Sequence, residues 1–223
     1  MGQFAKRTSR LSLADLRETY RLGELREEFC DSNPIVQFED WFKQAQVADI
    51  KEPNAMTLAT VGSDGRPSAR VVLLKEVSDL GFVFYTNYNS RKGQDLETNP
   101  FCALTFYWAE LERQVRIEGQ AARIPGYESV RYFQSRPKGS RLGALASHQS
   151  QIVASRDELE RRLGELEEQY RGTDSVPMPD EWGGYRVAPD LVEFWQGRPN
   201  RLHDRLQYRR NEGGKWTIKR LSP

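Results

Sequence analysis

Several common kinds of active site are excluded by what the chain has little of. Histidine occurs only twice, as His148 and His203, and cysteine only twice, as Cys30 and Cys102. Zinc and iron centres draw on clustered His and Cys ligands, so no such metal site is expected. The same scarcity argues against Ser-His-Asp or Cys-His hydrolysis. Two isolated cysteines read as reduced, structural thiols, as in a cytosolic protein. Charge of one sign is also missing. Lys and Arg total 33 against 32 Asp and Glu, without the basic excess of a general nucleic-acid binder. No apolar run approaches the length of a membrane span. The opening residues MGQFAKRTSR have no apolar signal core, and Lys6 stands where a myristoylation pattern wants Ser or Thr. A cytoplasmic location is therefore expected. Neither a Walker motif nor G-x-G-x-x-G is present, and there is no repeat. With 223 residues the chain can build one substantial core. A reaction without a protein nucleophile points to a cofactor that carries the chemistry.

What is present is a β-rich centre flanked by helices. Residues 1–10 are polar and basic and read as a mobile tail. A capping pattern at Ser12–Asp15 predicts a helix with Leu13, Leu16, Tyr20 and Leu25 on one stripe. Asn33-Pro34 is a cap and first turn for a second helix, with Ile35, Phe38, Trp41 or Phe42, and Ala45 facing the core. Strands are predicted over 56–61, 70–77, 82–87, 101–108 and 114–124. The first turn is Ser63-Asp64-Gly65-Arg66-Pro67, and Ser78-Asp79-Leu80-Gly81 is another. Ser90 caps a short helix that ends at Asn99-Pro100. Helices are predicted over 127–135 and 155–171, the latter with Leu159, Leu163, Leu166 and Tyr170 on one face. Strands over 184–194, 201–210 and 216–221 close the chain, the last two joined by the hairpin signal Asn211-Glu212-Gly213-Gly214. Sequential strands with short turns predict an antiparallel sheet closed as a barrel, an α+β architecture.

The cations in this pattern cluster. Arg70 and Lys75 bracket one strand, and Ser90-Arg91-Lys92 opens a helix, where free N–H groups and the helix dipole favour phosphate. Tyr132, Arg136 and Ser140 form a second group, whose hydroxyls and guanidinium suit phosphate oxygens. Gln149-Ser150 is a third. Taken one at a time, each reads more readily as surface cations or helix-end solvation than as an anion site. The sharpest local signal is Arg201-Leu202-His203-Asp204-Arg205. On a strand, Arg201, His203 and Arg205 would share a face, spaced roughly 6.7 Å apart. Two flanking cations would depress the His203 pKa, and the row would need an anion or an electron-rich ring opposite it. A solvated face with Asp204 as partner is the alternative. Trp195 stands where it could pack on a planar ligand or in the core.

Together these stretches resemble the pyridoxine/pyridoxamine 5′-phosphate oxidase family. The resemblance is carried by Arg70-Val71-Val72-Leu73-Leu74-Lys75, by Phe84-Tyr85-Thr86-Asn87 with Ser90-Arg91-Lys92, and by Glu112-Arg113-Gln114-Val115. It continues through Tyr132-Phe133 with Ser135-Arg136-Pro137, Ser147-His148-Gln149-Ser150 and Trp182-Gly183-Gly184. It ends with Glu193-Phe194-Trp195-Gln196-Gly197 and the run 201–205. The resemblance implies a split β-barrel that binds FMN, with flanking helices, in a homodimer. It implies a mobile tail over 1–15 and a single FMN-binding domain over 16–223. The activity implied is oxidation of pyridoxine 5′-phosphate or pyridoxamine 5′-phosphate to pyridoxal 5′-phosphate. Hydride passes from the substrate 4′ carbon to the flavin, and O2 is reduced to H2O2.

By motif, the resemblance assigns FMN to Arg70, Val71, Val72, Leu73, Leu74, Lys75, Tyr85, Thr86, Arg91, Lys92, Gln114, Gln149, Ser150, Trp195 and Arg205. It assigns the substrate phosphate to Lys75, Tyr132, Arg136 and Ser140. Arg201, Leu202 and His203 would face the substrate ring, with Arg201 and His203 as the catalytic pair and Arg17 and Tyr20 as a cover. It further implies that each site is shared between two subunits. No metal, nucleic acid or membrane enters this expectation.

Overall fold

The computed structural model describes residues 19–223. The capping pattern at Ser12–Asp15, Leu13, Leu16, Arg17 and the whole of the expected tail lie outside them. Tyr20 and Leu25, expected on the first helix, sit instead in an irregular segment, and Leu25 reaches the core from it. Among the described residues, nine strands form one antiparallel sheet. They are β1 (Ala55–Val61), β2 (Pro67–Leu73), β3 (Glu76–Ser78), β4 (Gly81–Asn87), β5 (Phe101–Trp108), β6 (Arg113–Arg123), β7 (Trp182–Gln196), β8 (Asp204–Arg210) and β9 (Trp216–Arg220). The order is β2-β1-β5-β6-β7-β4-β3, with β8 also on β7 and β9 on β8.

The long strand β7 organises the sheet. One edge pairs with β6 along its length. The other edge takes β4 at 182–187 and β8 at 191–196. A bulge at Glu118/Gly119 divides the two stretches. A Cβ at Gly119 would lie 2.1 Å from the Ala188 carbonyl oxygen, so the bulge needs glycine. Beyond β4, the sheet curls until β2 comes back against it, giving the expected split barrel.

The barrel is filled from the strands' inner positions and lidded by α1 (Pro34–Val47). In β5, Cys102, Leu104, Phe106 and Trp108 are buried in strict alternation. The α1 cap is the predicted one: Asn33 Oδ1 accepts from the Ile35 N–H at 2.9 Å, with Pro34 in the first turn. Ile35, Phe38, Trp41 and Ala45 are buried, so Trp41 takes the inner place and Phe42 lies at the margin. Phe38 packs on Phe82, Phe106 and Trp108, and Trp41 meets Phe194 edge-on.

Four more helices lie outside the barrel: α2 (Arg91–Thr98), α3 (Gly126–Ser135), α4 (Lys138–Ala146) and α5 (Arg156–Gln169). Ser90 caps α2 by accepting from the Gly93 N–H, and Ser155 caps α5 by accepting from the Glu158 N–H. Helix α4 was not predicted, because Pro137-Lys138-Gly139-Ser140 reads as a turn. Pro137 in fact sits at its cap, where a missing N–H costs nothing. Around Phe133, Leu142, Val176 and Trp182, a second apolar cluster joins α3, α4 and α5 to the end of β7.

Two predicted strands are corrected. The run 70–77 is broken after Leu73, and β3 resumes at Glu76 against β4. The Leu74 N–H bonds the Asn54 carbonyl while the Lys75 N–H bonds Val83, so the chain changes partners there. The run 201–210 starts as a strand only at Asp204. Pro199–Arg201 is a single helical turn with Asn200 at φ 57° and Arg201 at φ 61°. Left-handed backbone ends β pairing, and it is uncommon for arginine.

Candidate active site

Two groups of the expected site residues gather at different places. The first lines a cavity of 870 Å³ at the seam between β2 and β4, a volume usual for cofactor sites. Arg70, Val71, Val72, Leu73 and Lys75 enter from β2 and the residues after it, Tyr85 and Thr86 from β4, and Lys92 from α2. Tyr132, Arg136 and Ser140 come from α3 and α4, and Gln149 from the loop beyond. The cavity also takes in Asn87, Gly143, Ala144, Ser147 and Trp182, which were not assigned to either ligand. Gly143 and Ala144 were missed because α4 was missed. Trp182 had a signal, since the Gly-Gly after it permits close approach: a Cβ at Gly183 would lie 2.0 Å from the Tyr88 hydroxyl.

The cavity's cations lack carboxylate partners or share one sparingly. Lys92 Nζ is buried and donates to Gln149 Oε1 at 2.9 Å, Thr86 Oγ1 at 3.2 Å and Ser90 Oγ at 3.2 Å. Burial, reinforced by the nearby Arg70 charge, holds the Lys92 ammonium down to about 8. Arg70 Nη1 donates to Thr60 Oγ1 at 2.6 Å, whose hydroxyl donates to the buried Asp95 at 2.6 Å. Asp95 lies 3.8 Å from Arg70, and burial still pulls the Arg70 pKa down. Arg136 forms no ion pair among the described residues, and its Nη1 is buried without a hydrogen-bond partner. Burial lowers its pKa too. Three desolvated cations around one cavity are a costly arrangement unless an anion is bound there. Beside them Tyr85, Tyr132 and Trp182 stack nearly parallel, and burial pushes the Tyr85 phenol up to about 12.

The second group lies at the far end of β7. Gln114 pairs in register with Trp195, and Trp195 with Arg205. His203 packs 4.7 Å from the Trp195 ring and 5.6 Å from Tyr20, which meets Trp195 edge-on at 5.7 Å. His203 Nδ1 accepts from the Arg198 N–H at 3.1 Å. That fixes the neutral tautomer with its proton on Nε2. The His203 pKa is lowered, as expected, though chiefly by burial and only secondly by Arg201. Arg205 is not the second depressing charge. Its Nε and Nη2 hold the buried Glu193 carboxylate, both at 3.0 Å. The expected three-residue strand face does not form, because Arg201 is displaced into the left-handed turn. Asp204 turns to Arg220 at 2.7 Å and Arg198 at 3.5 Å.

None of Gln114, Trp195, Arg201, His203 or Arg205 lines the cavity. Trp182 and Trp195 are thirteen positions apart on β7, roughly 40 Å along an extended strand. Leu202 is exposed beside Arg201. Three further expected residues do not line the cavity: Leu74 is buried in the core, Arg91 is exposed on the first turn of α2, and Ser150 holds φ 71° in the loop.

Comparison with known proteins places the chain in a family. The family model described as pyridoxamine 5′-phosphate oxidase matches residues 42–170. The chain belongs to that family. A second model, the pyridoxine 5′-phosphate oxidase C-terminal dimerisation region, matches residues 182–223, which include β7 to β9. The pyridoxine/pyridoxamine 5′-phosphate oxidase of Thermosynechococcus vestitus is 60% identical over 211 residues, covering 95% of this chain and 99% of the relative. That of a Cyanothece species is 58% identical over 213 residues, covering 96% and 99%. The crystal structure of PhzG from Burkholderia lata, in complex with tetrahydrophenazine-1-carboxylic acid, superposes with a TM-score of 0.84 at 35% identity, covering 89% of this chain and 98% of that one. An FMN-binding protein of Nostoc punctiforme shares the fold at 16% identity and a TM-score of 0.67. Membership makes this family member an oxidoreductase. No helix among the described residues is long and apolar enough to cross a membrane.

Proposed function

We propose that this protein oxidises pyridoxine 5′-phosphate and pyridoxamine 5′-phosphate to pyridoxal 5′-phosphate with FMN as cofactor, O2 being reduced to H2O2. One observation carries the reading: a single cavity holds two cationic groups that await anions, Arg70 with Lys92 and Arg136 with Tyr132 and Ser140. Two phosphates, one of the cofactor and one of the substrate, fit two such groups. The buried, uncompensated Lys92 ammonium and the orphaned Arg136 Nη1 are what bound phosphates would satisfy.

Arg70, Lys75, Arg91, Lys92, Thr86, Gln149 and Ser150 would hold FMN, with the backbone of 71–74 and Tyr85 along it. A flavin held there would supply the acceptor for the hydride lost from the substrate 4′ carbon. The chain's own contribution is binding and orientation. Lys75, Tyr132, Arg136 and Ser140 anchor the substrate phosphate. Arg201 orients the ring and stabilises charge that develops on it. His203, neutral with its proton on Nε2, offers a donor to a ring substituent. Leu202 would face the ring beside them, and by the family resemblance Arg17 and Tyr20 would cover it.

The second group must come from elsewhere than the same subunit's cavity wall, since its residues lie at the far end of β7. A homodimer with sites shared between subunits brings them together, Gln114, Trp195 and Arg205 reaching the partner's FMN. The matched dimerisation region supports this. In a two-fold dimer two equivalent sites follow.

The test is direct. The purified protein with FMN, given pyridoxamine 5′-phosphate and O2, should form pyridoxal 5′-phosphate and H2O2 in equal amounts. Absence of turnover with both phosphorylated substrates rejects the activity. Sharing is tested by co-expressing Lys75→Ala with Arg201→Ala. Random pairing makes half the dimers mixed, each with one intact site, so about a quarter of parental activity should return. No recovery in dimers shown to be mixed rejects the shared site.

A further inference from the structure

Trp182 is outside the residues expected to touch either ligand, yet it lines the same cavity. It opens β7 opposite Asn87 and is only 7% exposed. Its ring is parallel within 9° to both Tyr85, at 5.3 Å, and Tyr132, at 6.2 Å. Tyr85 and Tyr132 stack on each other at 4.0 Å. The Arg136 guanidinium carbon lies 4.9 Å from the centroid of a Trp182 ring. Phe133, next to Tyr132 on α3, meets the indole edge-on at 5.0 Å.

One indole therefore touches both a phenol and a guanidinium assigned to the substrate phosphate. Arg136 needs such a support. It has no ion pair among the described residues and one of its nitrogens has no hydrogen-bond partner. Long unpaired arginines otherwise spread over many rotamers, and ordering one at the moment of binding weakens the ligand. An aromatic face attracts a guanidinium and limits it to a plane. The parallel stack likewise restricts the ring of Tyr132. Tyr132 lies in the last turn of α3 and Arg136 is the extended residue that caps it, and both reach the cavity from that end.

We infer that Trp182 is a positioning residue for specificity: its ring preorganises Tyr132 and Arg136 to select the phosphorylated substrate, without itself bonding the phosphate. This rests on the proposed activity. In the FMN-loaded enzyme, Trp182→Leu should raise KM for pyridoxamine 5′-phosphate about tenfold while kcat and FMN affinity stay within about twofold. Turnover of unphosphorylated pyridoxamine should be unchanged, so the preference for phosphate falls by about the same factor. Trp182→Phe also shrinks the side chain but keeps an aromatic face, and should hold KM within about threefold of the parent.

Equal rises in KM for the Phe and Leu variants, or an unaltered preference ratio, would reduce Trp182 to packing and overturn the inference. A second measurement needs neither turnover nor a folded Leu variant. Binding of inorganic phosphate to the purified parent and to Trp182→Phe is read by calorimetry. The weaker face of Phe should loosen phosphate by about two- to threefold, and an unchanged constant overturns the inference. If the parent fails to oxidise pyridoxamine 5′-phosphate, the proposed activity has failed, while the phosphate measurement still judges Trp182.

Discussion

The two ends of β7 treat charge in opposite ways. At its start, around the cavity, Lys92 and Arg136 are desolvated and form no ion pair among the described residues. At its finish, cations are matched: Arg205 grips Glu193, Arg198 reaches Asp204 and Glu24, and Arg220 joins Glu27 to Asp204. Arg201, exposed in its left-handed turn, and Arg113, which bonds Gln196 and Gln44 and lies over the Trp41 ring, form no ion pair there among the described residues. Paired cations hold the fold together whatever else they touch, and on the proposed reading the unpaired buried ones are held for anions.

Breaking the paired end should give the largest effect. Arg205→Met leaves the Glu193 carboxylate buried with only Arg116 at 3.6 Å. Removing one member of such a pair costs about 3 kcal/mol, read as a loss of thermal stability in the FMN-free protein. A stability equal to the parent's would erase the contrast between the two ends.

Breaking the unpaired end should act the other way. Lys92→Met removes a cation that the FMN-free protein holds at a cost. That form should melt higher, while FMN affinity falls by the about 1.5–3 kcal/mol of a charge-assisted contact. Riboflavin, which lacks the phosphate, should bind both proteins alike. Arg136→Ala should leave FMN content intact and raise KM for pyridoxamine 5′-phosphate about tenfold or more. A variant that lost flavin and kept its substrate affinity would exchange the roles of the two cationic groups.

A smaller effect sharpens the comparison through pH. The folded Lys92 pKa is lowered from 10.5 to about 8, so the unfolded chain binds more protons between those values. Stability of the FMN-free protein should therefore gain from this group as pH rises from about 8 to 10.5. FMN binding runs opposite, since its phosphate favours the protonated ammonium. Above pH 8 binding must take up a proton, and affinity should fall by up to about tenfold per pH unit. Lys92→Met should flatten both trends in titrations followed by flavin fluorescence. The smallest effect belongs to Arg91→Ala. Arg91 is exposed, so its pull on the cofactor phosphate should be about two- to threefold and vanish at high salt.

Elements with strong local chemistry were legible from the residues. The Asn33-Pro34 and Ser90 caps, the alternation of β5 and the Gly-Gly hairpin each follow from side chains adjacent in sequence. The cavity residues from Arg70 to Gln149 were also found, as three weak clusters that meet in space. Helix α4 was hidden by Pro137 and Gly139, which read as turn formers although Pro137 is its N-cap and Gly139 lies in its first turn. The strand start at 201 was misplaced because Asn200 and Arg201 adopt φ values that neither residue type announces.

The sequence by itself determined the order of strands and helices, the membership in a family and the kind of chemistry, because these depend on periodicity, capping and motifs read along the chain. Only the tertiary structure decided which charges are spent on each other. Glu193 lies two positions before Trp195 on β7, and nothing local marks it as the partner of Arg205. Trp182 likewise becomes a support for Arg136 only when β7 and α3 are packed together. Charge compensation and stacking act over a few ångströms in space, and residues that meet there can stand far apart along the chain, Glu27 and Arg220 by 193 positions.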